Sequence, residues 1–441
     1  MKLPNRETML SNLKINALNE MQLKTIETIQ NEKELILLSN TGSGKTLAFL
    51  IPLIESIDAN LKNTIQTLIL VPSRELAIQI DTVLKQLQTG YKISCCYGGH
   101  KREIEENNLV QPPAILIATA GRLADHIRRN NVNLSSINFL VLDEFDKILE
   151  LDFQQEMEFI FNSIPNNTTK LLTSATQAIA LPDYTKIINP FYLNFISNEP
   201  KDESVFYIKT VMSPENDKVD TLFKLLCNLK DTSSIVFCNH RDAVERTHQL
   251  LGEKDILSVF YHGGMEQHDR EVALCKFRNG TSNVLITTDL ASRGLDILNV
   301  RNVIHYHIPH TEDSFTHRNG RTARMDASGS VFVIIGPDEE IPAFLLNSNQ
   351  QFNLPEKFEI PDKPKWSTMF IAAGKKDKIN KIDIVGFLTQ KGKLKKDEIG
   401  LIEVKDFSAF AAVRKSKIGF AIENVKNEKI KNKKVKIAVA K

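Results

Sequence analysis

Residues 35–54 read LILLSNTGSGKTLAFLIPLI. A short apolar run ends in a glycine-rich turn, and an apolar helical stretch follows. Strand, turn and helix in that order are the context a phosphate-binding loop requires. The glycines let backbone N–H groups converge on one concavity, and the start of the next helix adds positive potential. This assigns Ser39, Asn40, Thr41, Gly42, Ser43, Gly44, Lys45 and Thr46 to a polyphosphate cradle. Lys45 can reach the β- and γ-phosphates, and Thr46 can ligate Mg²⁺. Ser39 stands where the general pattern has its first glycine. A second run, FLVLD (139–143), closes on Asp143 and Glu144. An acidic pair at a strand end is by itself no more than a helix cap. Behind a phosphate loop it reads as a site in which Asp143 holds Mg²⁺ and Glu144 polarises the attacking water as general base.

The same alternation extends in both directions. TLILV (67–71), ILIA (115–118) and LLTSA (171–175) complete the first set, with amphipathic stretches between them. Such runs read as buried parallel strands joined by crossover helices. The polar stretch SNEPKDES (197–204) breaks the pattern. SIVFC (234–238), LSVFYH (257–262), VLITTD (284–289), NVIHYH (302–307) and SVFVII (330–335) then resume it. The expected fold is α/β, with two tandem parallel-sheet domains over 1–197 and 205–345. Three prolines in NLPEKFEIPDKPKW (353–366) and its poor periodicity mark 346–366 as a linker. Beyond it, MFIAA, IGLIEV, FAAV and VKIAV can be strands and KIDIVGFLTQ and KIGFAIENV helices. That is a small α+β domain over 367–441 of β-α-β-β-α-β order.

Charge sets this last domain apart. Residues 367–441 carry 19 Lys+Arg and 8 Asp+Glu, a balance of +11, which leaves −9 for the rest of a chain whose net charge is +2. A basic tail on an acidic body suggests a polyanion-binding module; the plainer reading is a solubilising lysine-rich end. No apolar run approaches the ~18–20 residues that span a bilayer, and the first residues lack the apolar core of a signal peptide. A cytoplasmic protein without membrane contact is expected. The five cysteines show no CxxC spacing, and His100, His126, His305, His307 and His310 show no ligand spacing. Neither a zinc or other Cys/His metal site nor a disulfide framework is indicated.

DEFD (143–146) stands in a fixed order with other blocks. PSRELAIQ (72–79), YGG (97–99), TAGRL (119–123) and SAT (174–176) accompany it in the first domain. VFCN (236–239), HGGMEQHDR (262–270), TTDLASRGLDI (287–297) and HRNGRTAR (317–324) follow in the second. Over about residues 15–340 the chain resembles the superfamily 2 DEAD-box RNA helicases. The resemblance implies two RecA-like domains with ATP bound in the cleft between them and RNA lying across both. It implies adenine recognition by Gln22, ribose recognition by Asp296, and arginine fingers at Arg321 and Arg324. Ser174 and Thr176 would couple hydrolysis to strand separation. Arg74, Gly98, Gly99, Thr119, Gly121 and Arg122 would contact the RNA backbone from the first domain, and Gln267, Arg270 and Thr288 from the second. Contacts to the backbone carry no sequence information. His317 belongs to the last motif and would lie near the γ-phosphate or link motifs.

Three departures stand out. Phe145 replaces the alanine of the family's name, so the packing beneath the motif must adjust. No aromatic residue occurs before Phe49, and Leu18 and Asn19 replace the usual Pro and Thr ahead of Gln22; Asn19 could cap a helix. Ala323 replaces a commoner glycine.

The tail segments IAAGKKDKINKIDIVGFLTQKGKL and IGLIEVKDFSAFAAVR resemble the RNA-binding domain of DbpA-type helicases, an RRM-like fold. An ordinary RRM stacks bases on sheet aromatics. Here Ser408 and Val413 stand where exposed aromatics are expected, Phe410 is expected to point into the core, and Phe370 remains on the first strand. Recognition should then lean on charge, with Lys375, Lys376 and Lys378 as contacts and Lys381, Arg414, Lys415 and Lys417 as further candidates. The resemblance implies large-subunit ribosomal RNA as target, a role in ribosome assembly, ATP and Mg²⁺ as cofactors, and a monomer. An alternative is an ATP-binding RNA clamp or assembly scaffold with negligible turnover; the intact Glu144, Arg321 and Arg324 argue against it. A DNA-directed translocase is disfavoured by the HRNGRTAR and SAT forms.

Overall fold

Leu35 and Leu37 face one side of their strand and Ile36 and Leu38 the other, and all four are buried, each pair in a different apolar cluster. A run apolar at every position is what a strand covered on both faces needs. The computed structural model describes residues 5–40, 42–99, 102–150, 153–175, 180–196, 207–289, 297, 300–322, 329–346 and 349–440. They divide into two units, one within residues 1–201 and the other within 202–441.

The first unit is built on seven parallel strands: β1 Glu34–Ser39, β2 Thr67–Val71, β3 Ile93–Cys96, β4 Ile115–Thr119, β5 Phe139–Leu142, β6 Thr169–Ser174 and β7 Phe191–Phe195. Their order is β3-β4-β2-β5-β6-β1-β7. The two strands not read from the sequence, β3 and β7, lie at the edges. Alternate residues of β3 are only partly buried, and Phe191 and Tyr192 of β7 are exposed, so neither is a continuous apolar run.

The second unit repeats the plan. Its strands are β8 Tyr207–Met212, β9 Ser234–Phe237, β10 Ser258–Tyr261, β11 Val284–Thr287, β12 Asn302–His305, β13 Ser330–Ile335 and β14 Asn349–Gln351. All are parallel, in the order β10-β11-β9-β12-β13-β8-β14. Within the stretch read as a linker, β14 joins this sheet, and Phe352 and Leu354 pack on its core.

The same unit carries a four-stranded antiparallel sheet. It consists of β15 Trp366–Ile371, β16 Ile399–Val404, β17 Ala409–Arg414 and, after the short hairpin β18 Lys429–Ile430 and β19 Lys433–Lys434, β20 Ile437–Val439. The order is β16-β17-β15-β20. Met369, Ile371, Ala409, Ala411 and Val413 pack with Ile384 and Leu388 of the helix Lys381–Gln390 and Ala421 of the helix Ile418–Val425.

The opposite sheet face is not open. Phe370 and Phe410 are paired in register and meet Val272 and Cys275 of the helix Gln267–Arg278. Phe410 is fully buried, but in this contact and not in the core of its own domain as the sequence reading expected. His268 stands edge-on to Phe370 at 5.5 Å, the Arg278 guanidinium forms an ion pair with Glu403 (Nε to Oε1 2.9 Å), and the Thr281 and Thr368 hydroxyls lie 2.7 Å apart. Trp366 is covered by the Arg414 guanidinium at 4.4 Å. Phe410→Ala should therefore destabilise the tail by about 3–5 kcal/mol, the usual cost of removing a buried phenylalanine ring. Hydrogen exchange of β15 and β17 reads it, and a loss below about 1 kcal/mol would contradict the packing.

Candidate nucleotide and RNA site

β5, β6 and β1 are neighbours, so their carboxyl ends bring three sequence blocks to one edge. Asp143 follows β5, Ser174 ends β6, and Ser39 ends β1 and opens the phosphate loop. Open parallel sheets bind ligands at these ends. Gly42 and Gly44 adopt φ of +81° and +93°. Gly44 has a second constraint, since a Cβ there would lie 2.5 Å from Gln22 Nε2. Lys45 begins the helix Lys45–Glu55 and donates through Nζ to the carbonyls of Ser39 and Asn40. The Ser39 and Ser43 hydroxyls are 2.6 Å apart and close the loop.

Asp143 is buried. Burial pushes its carboxyl above the ordinary range, against the opposing pull of the Thr173 hydroxyl and Lys45. Thr173 Oγ1 donates to Asp143 Oδ1 at 2.5 Å and accepts from the Glu144 backbone N–H at 3.3 Å. Glu144 sits at φ +53°, a left-handed conformation uncommon for a side chain other than glycine. Thr173 therefore orients the Asp143 carboxyl and anchors the backbone from which Glu144 projects. The sequence reading passed over it, although it directly precedes Ser174 in LLTSA. Ser174 is fully buried. A desolvated carboxylate and the Thr46 hydroxyl are hard oxygen donors of the kind Mg²⁺ takes. Phe145 is buried among Leu142, Ile148 and Met157, which is how the motif absorbs a ring in place of a methyl.

Asn19 and Gln22 form a reciprocal cap, each side chain accepting from the other's backbone N–H at 2.9 Å. Their amides also reach the phosphate loop: Asn19 Nδ2 donates to Ser43 O at 2.9 Å and Gln22 Nε2 to Gly44 O at 3.1 Å. Gln22 is thus tied to the loop that would hold the phosphates.

The first unit also gathers the residues read as RNA contacts. Gly99 has φ +99°, and a side chain there would collide with the Arg74 guanidinium. Arg122 Nη1 lies 3.5 Å from Glu105 Oε2, and Tyr97 N–H, just before Gly98, donates to Glu105 Oε1 at 2.8 Å. Thr119 ends β4, and Gly121 lies in the first turn of the helix Ala120–Arg128.

Residues 19–183 match the DEAD/DEAH box helicase family, 217–326 the helicase conserved C-terminal domain, and 368–439 the DbpA RNA binding domain. The Escherichia coli (strain K12) ATP-dependent RNA helicase DbpA is 32% identical over 99% of this chain and 98% of its own length. The chain belongs to the DEAD-box ATP-dependent RNA helicases. The Bacillus subtilis (strain 168) DbpA is 28% identical over 95% of this chain and 94% of its own. Among solved structures, Mss116p bound to ssRNA and AMP-PNP superposes with a TM-score of 0.65 at 26% identity, covering 76% of this chain and 73% of that one. S. cerevisiae Dbp5 bound to RNA and ADP BeF3 shares the fold, with a TM-score of 0.65 at 24% identity, covering 76% of this chain and 88% of that one.

The second unit of this DEAD-box helicase adds a residue the sequence reading left out. Arg318 is fully buried and donates to Asp289 Oδ1 at 2.5 Å, to Asn239 Oδ1 at 2.9 Å and to His307 O at 2.9 Å. One guanidinium thereby joins VFCN, TTD and HRNGR. The signal was its place one helical turn before Arg321. Arg321 is buried. Gln267 donates to Glu271 at 3.1 Å, and Arg270 is buried with Nη2 on Gly263 O at 2.5 Å. Thr288 follows β11, next to β10. Burial pushes His305 down to about 3 and His307 down to about 4, so both stay neutral in the interior. Thr41, Thr176, Asp296 and Arg324 lie outside the described residues. Among the described residues no helix is long and apolar enough to cross a membrane.

Proposed function

We propose that this helicase couples ATP hydrolysis, carried out at Lys45, Asp143 and Glu144, to the local opening of short RNA duplexes. The observation that carries the reading is the convergence of the phosphate loop, the oriented acidic pair and Ser174 on three adjacent strand ends. Lys45 and Thr46 hold the phosphates. Asp143 and Thr46 hold Mg²⁺, whose charge would offset the desolvation of Asp143. Glu144 draws the proton from the attacking water. Ser174, between the two, senses the change. Arg74, Gly98, Gly99 and Arg122 bind RNA phosphates, and Gln267, Arg270 and Thr288 do so from the second unit. Phosphate release with and without RNA tests the reading: strong RNA stimulation is expected, and activity unchanged in Lys45→Ala would refute the site. Negligible turnover with tight RNA binding would instead favour an ATP-dependent clamp.

The tail directs this activity to a structured RNA, which we take to be ribosomal RNA of the large subunit during assembly in the cytoplasm, with the helicase acting as a monomer. Two observations support RNA binding away from the covered sheet face. Lys375, Lys376 and Lys378 are exposed on the loop after β15, beside the hairpin of β18 and β19, where Lys429 and Lys434 are paired directly opposite. Like charges so placed repel unless an anion lies over them. The backbone N–H groups of Lys375 and Lys376 donate to the carbonyls of Lys405 and Asp406 at 2.8 and 2.9 Å, which brings the exposed ring of Phe407 to the same rim. Replacing Lys375, Lys376 and Lys378 together by alanine should weaken RNA binding and reduce the slope of log K against log salt by about 2. An unchanged slope in filter binding across salt would reject these contacts.

A further inference from the structure

A buried charge cluster in the first unit is centred on Glu105 and His126, which belong to none of the motifs, and it reaches two motif residues, Tyr97 and Arg122, beside the proposed RNA contacts. Glu105, on the helix Arg102–Leu109, is 2% exposed. Its Oε1 accepts from the Tyr97 N–H at 2.8 Å. Its Oε2 lies 2.7 Å from His126 Nε2 and 3.5 Å from Arg122 Nη1. His126 is itself fully buried, and the Asn131 amide stands 3.1 Å from its Nδ1. With Nδ1 accepting from Asn131, the ring proton sits on Nε2 and points at Glu105.

The cluster includes Cys96, and the donor atoms of Cys96, Glu105 and His126 lie within 4.8 Å of one another, close enough for a metal ion. The surroundings argue otherwise. A guanidinium shares the carboxylate and would repel a cation, while burial pushes the Cys96 thiol up, against the thiolate a metal needs. A buried carboxylate holding a backbone N–H, an imidazole and a guanidinium is a brace. Its two loaded ends are Tyr97, which leads into Gly98 and Gly99, and Arg122.

We propose that Glu105 is a positioning residue for RNA, fixing the spacing between the Gly98–Gly99 loop and the Arg122 guanidinium so that both meet successive phosphates of one strand. The inference rests on the RNA-contact roles proposed for those residues. Glu105→Gln is the informative change, because glutamine still accepts from Tyr97 and fills the same volume but no longer carries the charge that orients Arg122.

Native protein, Glu105→Gln, Arg122→Ala and the double variant are compared in RNA-stimulated phosphate release. For Glu105→Gln the RNA concentration giving half-maximal rate should rise about fivefold to tenfold, as for one charge-assisted hydrogen bond. The rate at saturating RNA and the affinity for a fluorescent ATP analogue should stay within about twofold. In the Arg122→Ala background the same change should add nothing, since the two act as one unit. Additive losses, or a fall in saturating rate together with a lower melting temperature, would mean a purely structural role and overturn the proposal. Native RNA dependence in Glu105→Gln with a weakened Arg122→Ala would overturn it while leaving the RNA face intact; native behaviour in both would overturn the RNA face as well. Zinc raising the melting temperature of native protein but not of Cys96→Ser would identify a metal site and replace the brace.

Discussion

Glu144→Gln should lower the RNA-stimulated ATPase rate by about 10²–10⁴-fold while leaving RNA binding in the presence of a non-hydrolysable ATP analogue near native. That range is what a positioned general base contributes. The geometry singles out Glu144 and not Asp143 for this role. Thr173 bonds the Asp143 carboxyl and the Glu144 backbone, but Asp143 is the buried, desolvated partner suited to a cation, and Glu144 is held at φ +53° on the turn that follows β5. Glutamine keeps the size and the backbone bond and removes only the proton acceptor. Single-turnover phosphate release checks it; a loss below about tenfold would move the base to another residue.

The second large effect is expected at Arg321. Guanidinium groups that stabilise the transferring phosphoryl are worth about 10³–10⁵ in rate. Arg321→Lys keeps the charge but gives up the planar fork, so it should recover little of what Arg321→Ala loses. Both should retain ATP binding within a few fold. Arg318 is the necessary control, because its contacts to Asp289, Asn239 and His307 make it a stabilising residue. Arg318→Lys should lower the melting temperature, whereas Arg321→Lys should not. Equal melting losses would mean that Arg321 is structural too.

Much of this was legible in the chain. The phosphate loop, the acidic pair and the covered strands announce themselves because glycine spacing and unbroken apolar runs are local properties. What escaped is non-local. The edge strands β3 and β7 carry half-exposed residues and no clean period. Thr173, Arg318 and Glu105 act through partners 30, 29 and 21 residues away along the chain, joined by the sheet order. Phe410 misled for a related reason: a buried ring in a small domain reads as core, and nothing in FSAFAAV announces that its neighbour is Val272. Asn19 was the reverse case, since the cap foreseen from its residue type is present, and it brings along Gln22, which grips the phosphate loop.

The contact between Phe370, Phe410 and the helix Gln267–Arg278 bears on how the tail should be dissected. A truncation at residue 366 would strip the cover from Val272 and Cys275 and leave a greasy strip on the remaining fragment. Such a fragment would tend to self-associate, and its weak RNA response would then report poor solubility as much as lost targeting. Point changes in the lysine rim, which leave the buried rings in place, are the cleaner instrument.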